Sequence, residues 1–250
     1  MRLQRHSVGQ GPTNLYVVTC EETLDTIIVD PGIEEKEENG ILRRILKAGL
    51  KVKFIINTHG HADHTGGNRF LKESTRGDIL FHEKDSEMIT RPWTYVSESA
   101  RRGIPCPSCG GSWSIVEKDE HRGRATLRCS DCAFALEALA SPPADKLLHG
   151  GETIEVGSLS FEVIHTPGHT PGSISLYSHD EGVVFTGDTL FKSSAGRTTF
   201  LWGSEEDMMK SLNRLMELPD DTTVYPGHDE KTTIGIERRT NPVILKMNSL

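Results

Sequence analysis

Between Thr58 and Gly67 the chain reads THGHADHTGG, which sets His59, His61, Asp63 and His64 within six positions. Imidazoles and a carboxylate packed this tightly are costly to bury unless a cation joins them, and such nitrogen and oxygen donors suit zinc and its first-row neighbours. The preceding residues, Val52 to Ile56, form an apolar run of strand length, and Gly66-Gly67 closes the motif on its other side. The motif is therefore expected on the loop where a buried strand ends and a helix begins, where α/β sheets usually carry their sites.

The flanking sequence supplies the alternation that such a loop needs. Leu15–Thr19 and Thr26–Val29 read as a hairpin leading into Asp30-Pro31-Gly32, with Asp30 a turn-capping carboxylate rather than a neighbour of the metals. Ile41, Leu42, Ile45 and Leu46 recur at helical spacing within residues 34–48, and Gly49 closes that helix before the next strand. A helix from Gly67 to Glu73 and a strand at Ile79–Phe81 come next, after which His82 and Glu83 read as a surface pair. Beyond residue 147, short strands are expected at Thr153–Val156, Leu159–Ile164, Ser173–Tyr177 and Val183–Thr186. Ser204–Leu218 reads as a helix with Ser204 as its N-cap. Three more candidate ligands stand at the ends of β runs: His169 in TPGHTPGS, Asp188 in FTGDTL and His228 in YPGHD. His165 reads as a supporting or core residue, and Cys20 as buried strand filler.

Residues 91–143 break the pattern and read as an insertion between the halves 1–90 and 144–250. Cys106-Pro107-Ser108-Cys109 and Cys129-Ser130-Asp131-Cys132 are two knuckles 19 residues apart, the spacing of a zinc ribbon over residues 103–135. A structural zinc on Cys106, Cys109, Cys129 and Cys132 is expected, because a module of about 35 residues buries too little apolar surface to hold itself together. Arg101 to Cys132 carries six Arg or Lys against four Asp or Glu, a slight excess that reads as solvated surface. The ribbon accordingly reads as a structural or oligomerising module ahead of one that contacts substrate or nucleic acid.

Taken in order, THGHADHTGG, TPGHTPGS, FTGDTLF and YPGHD resemble the metal-binding motifs of the metallo-β-lactamase fold superfamily, over all of the chain except the insert. The resemblance implies an α/β fold, a four-layer αββα sandwich with the ribbon as a small inserted subdomain. It implies that His59, His61 and His169 hold one metal, Asp63, His64 and His228 a second, and that Asp188 bridges them. Two zinc ions are expected there, with iron or manganese as substitutes. The implied chemistry is hydrolysis by a hydroxide shared between the metals, with Asp63 and Asp188 as the catalytic carboxylates. GDTLF, Gly196-Arg197 and TIGIERRTNP look most like the glyoxalase II-like group, which points to a small thioester or ester substrate. Arg197 and Lys192 are then candidates to hold an anionic substrate end, although Glu230 stands where that group has an aromatic residue.

Composition narrows the alternatives. A formal net charge of -8 argues against a protein that coats nucleic acid, leaving the ribbon as the one route to such a partner. The absence of a leader pattern and of about 18 consecutive apolar residues makes a cytoplasmic location and no membrane partner the expectation. Rival readings are a mononuclear iron persulfide dioxygenase, a zinc-ribbon adaptor on an inactive scaffold, and a nuclease of the same superfamily. The complete set of seven ordered donors favours the hydrolase.

Overall fold

The computed structural model describes residues 1–9, 12–92, 106, 109–119, 123–132, 135–199 and 201–247. Arg101-Arg102-Gly103 and Pro105, within the stretch read as the insert, lie outside the described residues. In the first half, β1 (Arg2–Val8), β2 (Thr13–Thr19), β3 (Asp25–Val29), β4 (Lys51–Ile56) and β5 (Asp78–His82) pair in sequence order, and β9 (Lys146–Leu148) closes the sheet beside β5. The β3–β4, β4–β5 and β5–β9 pairings are parallel, so their C-terminal ends lie along one edge. Helices α1 (Glu35–Lys47), α2 (Ala62–Thr65), α3 (Asn68–Thr75) and α4 (Ser86–Thr90) fill the connections.

The second half repeats the plan. Strands β10 (Thr153–Val156), β11 (Leu159–His165), β12 (Ile174–Ser178), β13 (Val183–Gly187), β16 (Thr223–Pro226) and β17 (Thr232–Thr233) form another six-stranded sheet. A two-stranded ribbon, β14 (Leu190–Phe191) and β15 (Ser194–Ala195), comes after β13. Helices α5 (Glu205–Leu215), α6 (Ile234–Thr240) and α7 (Pro242–Met247) cover the sheet. The Ser204 hydroxyl accepts the Asp207 amide at 3.2 Å, so the expected N-cap is in place.

Period-two alternation decides the layering. Val18, Ile27 and Ile56 face Phe161, Leu176 and Phe185 across the space between the sheets. Their chain neighbours Val17, Ile28 and Ile55 turn the other way, onto Ile41, Ile45 and Leu71 of α1 and α3. On the second sheet Val184 and Val224 meet Met208, Leu212 and Leu215 of α5. Three apolar cores thus separate four layers, the expected αββα arrangement. Among the described residues no helix is long and apolar enough to cross a membrane.

Several elements go beyond the expected ones. Strand β1 pairs along its whole length with β2, from Arg2 opposite Thr19 to Val8 opposite Thr13, yet its polar sequence RLQRHSV hides it, as suits an edge strand. In the insert, β6 (Trp113–Asp119) and β7 (Arg124–Cys129) contain Trp113–Val116 and Ala125–Arg128, the runs that read as short strands between the knuckles, and β8 (Ala135–Leu139) adds an unexpected third strand to their antiparallel sheet just past the second knuckle.

Candidate metal centre

All seven expected ligands gather along the shared edge of the two sheets. His59 and His61 leave the end of β4, while Asp63 and His64 ride on α2, the short helix into which the second half of the motif winds. His169 lies in the turn between β11 and β12, Asp188 directly succeeds β13, and His228 succeeds β16. Because β13 and β16 run parallel and β12 antiparallel to β13, these three positions share one edge.

His59, His61 and His169 converge, with His61 Nδ1 at 3.1 Å from His59 Nε2 and 2.9 Å from His169 Nε2. His64 Nε2 and His228 Nε2 stand 3.2 Å apart, and Asp63 Oδ2 lies 3.4 Å from the latter. Asp188 reaches both groups: its Oδ2 is 3.5 Å from His169 Nε2 and 3.6 Å from His228 Nε2, and its Oδ1 is 3.5 Å from His64 Nε2. Zinc–nitrogen bonds of about 2.0–2.1 Å in a tetrahedron put neighbouring donors roughly 3.3 Å apart, so these separations are those of donors sharing an ion. Asp188 Oδ1 is buried with no hydrogen-bond donor, an orphan that a cation would satisfy. A methyl on Gly227 would overlap that same oxygen and come within 2.7 Å of His64 Cε1, so the chain keeps this space clear. The donor set fits a pair of divalent metals.

Outer contacts hold the rings with their ligating nitrogens inward. His169 Nδ1 donates to the Arg197 carbonyl at 2.7 Å, and His228 Nδ1 donates to the Pro12 carbonyl at 3.1 Å. His64 Nδ1 lies 3.0 Å from Asp30 Oδ2. Asp30, read from the sequence as a turn cap, is instead buried behind the centre, where it also accepts the Thr58 amide at 2.8 Å and hydroxyl at 2.7 Å. Nothing in a lone Asp before Pro-Gly distinguishes these roles. The parallel pairing of β3 with β4 decides between them, by bringing the two strand ends together.

Electrostatics prepare the site for cations. Burial first, then the neighbouring imidazoles, push His59 and His61 well below the usual histidine range, leaving them neutral. Burial opposes charge on His64 as well, but Asp188, Asp30 and Asp63 outweigh it and hold the ring up at about 10. Asp63 is held well below the usual carboxylate range by His64, His228 and His61, which outweigh the loss of hydration its carboxylate meets among them. Solvent reaches the centre from one side, where the Asp63 side chain is 44 % exposed and that of His228 24 %, against 0 % for His64.

The two proposed substrate cations diverge. Lys192 lies in an exposed ion pair with Glu230 at 2.7 Å, so its charge already has a partner. Arg197 is exposed at the rim, and it is its backbone carbonyl that supports His169. His82, expected at the surface, is buried because it stacks on His165 with ring centroids 4.1 Å apart. His165 in turn donates to the Pro171 carbonyl at 2.9 Å, within the turn that carries His169. Asp85 had no signal in the sequence. It is buried, and it accepts the Gly60 amide at 2.8 Å, the Gly172 amide at 2.7 Å and the Thr170 hydroxyl at 2.6 Å, pinning the two ligand loops together.

An αββα sandwich whose sheet edges gather six nitrogen and carboxylate donors around one shared aspartate defines a class of metal-dependent hydrolases. Residues 8–228 match the profile of the metallo-beta-lactamase superfamily, and the chain belongs to that superfamily. Its members are generally hydrolytic enzymes that hold divalent metals such as zinc or iron. The hydroxyacylglutathione hydrolase GloC of Haemophilus influenzae is 30% identical over 239 residues, covering 93% of this chain and 95% of that protein. Among solved structures, the BLEG-1 B3 metallo-beta-lactamase superposes with a TM-score of 0.73 at 28% identity, covering 97% of this chain and 99% of that one. TTHA1623 in a di-iron-bound form gives 0.69 at 29% identity, covering 96% and 99%.

Proposed function

We propose that this chain hydrolyses a small thioester or ester at a dinuclear metal centre, with His59, His61 and His169 on one ion, Asp63, His64 and His228 on the other, and Asp188 between them. The observation that carries the reading is the position of Asp188, whose two oxygens lie within 3.6 Å of His64, His169 and His228 from both triads. When bound, the metals supply the Lewis acidity and the acidification of water that hydrolysis at neutral pH requires. The chain does the rest. The His59 and His61 imidazoles are neutral, Asp30 and the Arg197 and Pro12 carbonyls fix the orientation of His64, His169 and His228, and Asp63 keeps its carboxylate charged at the solvent-facing side. Exposure of Asp63 and His228 marks the side from which a substrate carbonyl would arrive.

A thioester is preferred because the Haemophilus relative bears the name of a hydroxyacylglutathione hydrolase. The preference is tested by loading the metal-free protein with zinc, iron or manganese and assaying hydroxyacyl thioesters of several thiols, simple esters and a β-lactam. Metal-dependent thioester hydrolysis, lost in Asp188→Ala, is the expected result. Turnover that survives Asp188→Ala undiminished would overturn the two-metal reading, and β-lactam cleavage without thioester cleavage would overturn the substrate class. Oxygen uptake with a persulfide at one iron per chain would replace hydrolysis with dioxygenation.

A further inference from the structure

The hydrolase reading leaves the four-cysteine insert unused. Its cysteines converge without bonding to one another: Cys106 Sγ and Cys132 Sγ are 3.9 Å apart, Cys109 Sγ and Cys129 Sγ 3.5 Å, and all four sulfurs lie within 4.8 Å of each other. A tetrahedron of sulfurs at about 2.3 Å from zinc has edges of roughly 3.8 Å, whereas a disulfide needs about 2.05 Å. Each knuckle is closed by its backbone. Gly110 N donates to the Cys106 carbonyl and Cys106 N to the Gly111 carbonyl, both at 2.8 Å, while Asp131 N donates to Cys129 Sγ at 3.4 Å. The Asp131 carboxylate accepts the Ser112 amide at 3.1 Å and so ties the second knuckle to the first.

This small sheet is joined to the catalytic domain at an informative place. Its last strand, β8, lies against α2, the helix that carries Asp63 and His64. Two residues past β8, Ser141 is buried, and its hydroxyl accepts Asn68 Nδ2 at 2.9 Å. Asn68 donates to Asn57 Oδ1 at 2.7 Å, and Asn57 Nδ2 donates to the His64 carbonyl at 3.0 Å. Asn57 and Asn68 are fully buried, so each bond of this relay would be costly to leave unmade. Ser141 N also bonds the Ile89 carbonyl at 3.0 Å, which anchors the exit of the insert on α4.

The geometry points to a structural zinc held by Cys106, Cys109, Cys129 and Cys132 that sets β8 and Ser141 in place, and through Asn68 and Asn57 fixes α2 and its two donors. The thiols lose their protons when the zinc binds, and four thiolates close its coordination, leaving no position for substrate. The ribbon is thus a positioning device for one half of the catalytic centre, and this second step rests on the proposed function of that centre.

Three measurements on the full chain test the proposal. Zinc-edge X-ray absorption should show one site with four sulfur neighbours, and cobalt substitution should give thiolate charge-transfer absorption. Cys109→Ser combined with Cys132→Ser should remove one zinc per chain and speed amide exchange across Ala62–Thr65. Ser141→Ala should keep the four-sulfur zinc yet raise exchange in α2 about three- to tenfold, the effect of one buried hydrogen bond, while β11 to β13 stay protected. A protein with no sulfur-coordinated metal, with iron in that site, or with two disulfides in its place would overturn the zinc assignment. Unchanged α2 exchange in Ser141→Ala would overturn the coupling. The sulfur shell is read independently of the histidine centre, so an empty histidine centre beside a loaded ribbon would count against the proposed hydrolysis alone.

Discussion

Gly227 shows how little freedom single residues have around the metals. Its amide donates to the Gly187 carbonyl at 2.8 Å and its carbonyl accepts the Asn14 amide at 2.7 Å, so both faces of the residue are engaged while its Cα hydrogens face Asp188 and His64. In Gly227→Ala the added methyl must displace the carboxylate that both donor groups share. Displacing a well-packed neighbour costs about 1–3 kcal/mol of stability, and shifting Asp188 should lower metal affinity about 10- to 100-fold, the scale seen when a ligand's support is removed. Competition titration against a chromogenic chelator measures this, and unaltered affinity would contradict the packing described. YPGHD announces His228 in the sequence but not the reason for its glycine, because the atoms that forbid a side chain come from residues 64 and 188. Asp30 is a similar case: its partners are Thr58, just past the end of the neighbouring strand β4, and His64 on α2, and spacing along one chain does not report neighbours across a sheet.

Among the elements, the long apolar strands and the amphipathic α1 and α5 were legible because one local period decides them, whereas β1, α4 and β9 were not. Their residues are polar or few, and pairing with a strand or packing on a face already formed makes them regular. The same reason hid Asp85, which sits in a single 3-10 turn after β5 and ties the β4 loop to the β11–β12 loop. Burial raises its carboxyl to about 6, only partly opposed by bonds from Thr170, Gly172 and Gly60. The native state therefore holds this proton more tightly than the unfolded chain does. Stability from this group is greatest below the unfolded value near 4, falls as pH rises to about 6, and is level above that, a change of at most about 3 kcal/mol. Asp85→Asn, which stays neutral, should remove that slope, while losing about 1–3 kcal/mol for an acceptor it no longer offers. Urea denaturation of metal-free wild type and variant between pH 4 and 7 is the measurement, and a difference independent of pH would show that Asp85 does not titrate in this window.

At the scale of the molecule, the centre lies across the seam of the two sheets. His59, His61, Asp63 and His64 come from the first, His169, Asp188 and His228 from the second, and neither half holds a complete site for either ion. The seam is already stitched at this edge: Ile174 N bonds the Thr58 carbonyl at 2.8 Å, and the Tyr16 hydroxyl donates to the Pro226 carbonyl at 2.7 Å. Metals bound as proposed, from both sides, would add cross-links that the unfolded chain lacks. Occupancy at 100 times the dissociation constant contributes about 2.7 kcal/mol per site by mass action, so stripping the centre should lower the urea midpoint without changing the slope, which tracks the surface exposed on unfolding. The ribbon would respond to the same chelator, so the comparison needs a control in which only the seam is altered. Asp188→Ala supplies it, since it removes the carboxylate that reaches both donor groups and leaves the four cysteines untouched. Metal should raise the midpoint of wild type well above that of Asp188→Ala, and the two proteins should converge once both are stripped. If instead wild type and variant gain equally from metal, the stabilisation comes from the ribbon, and the sheets are held together by their apolar core without help from the centre.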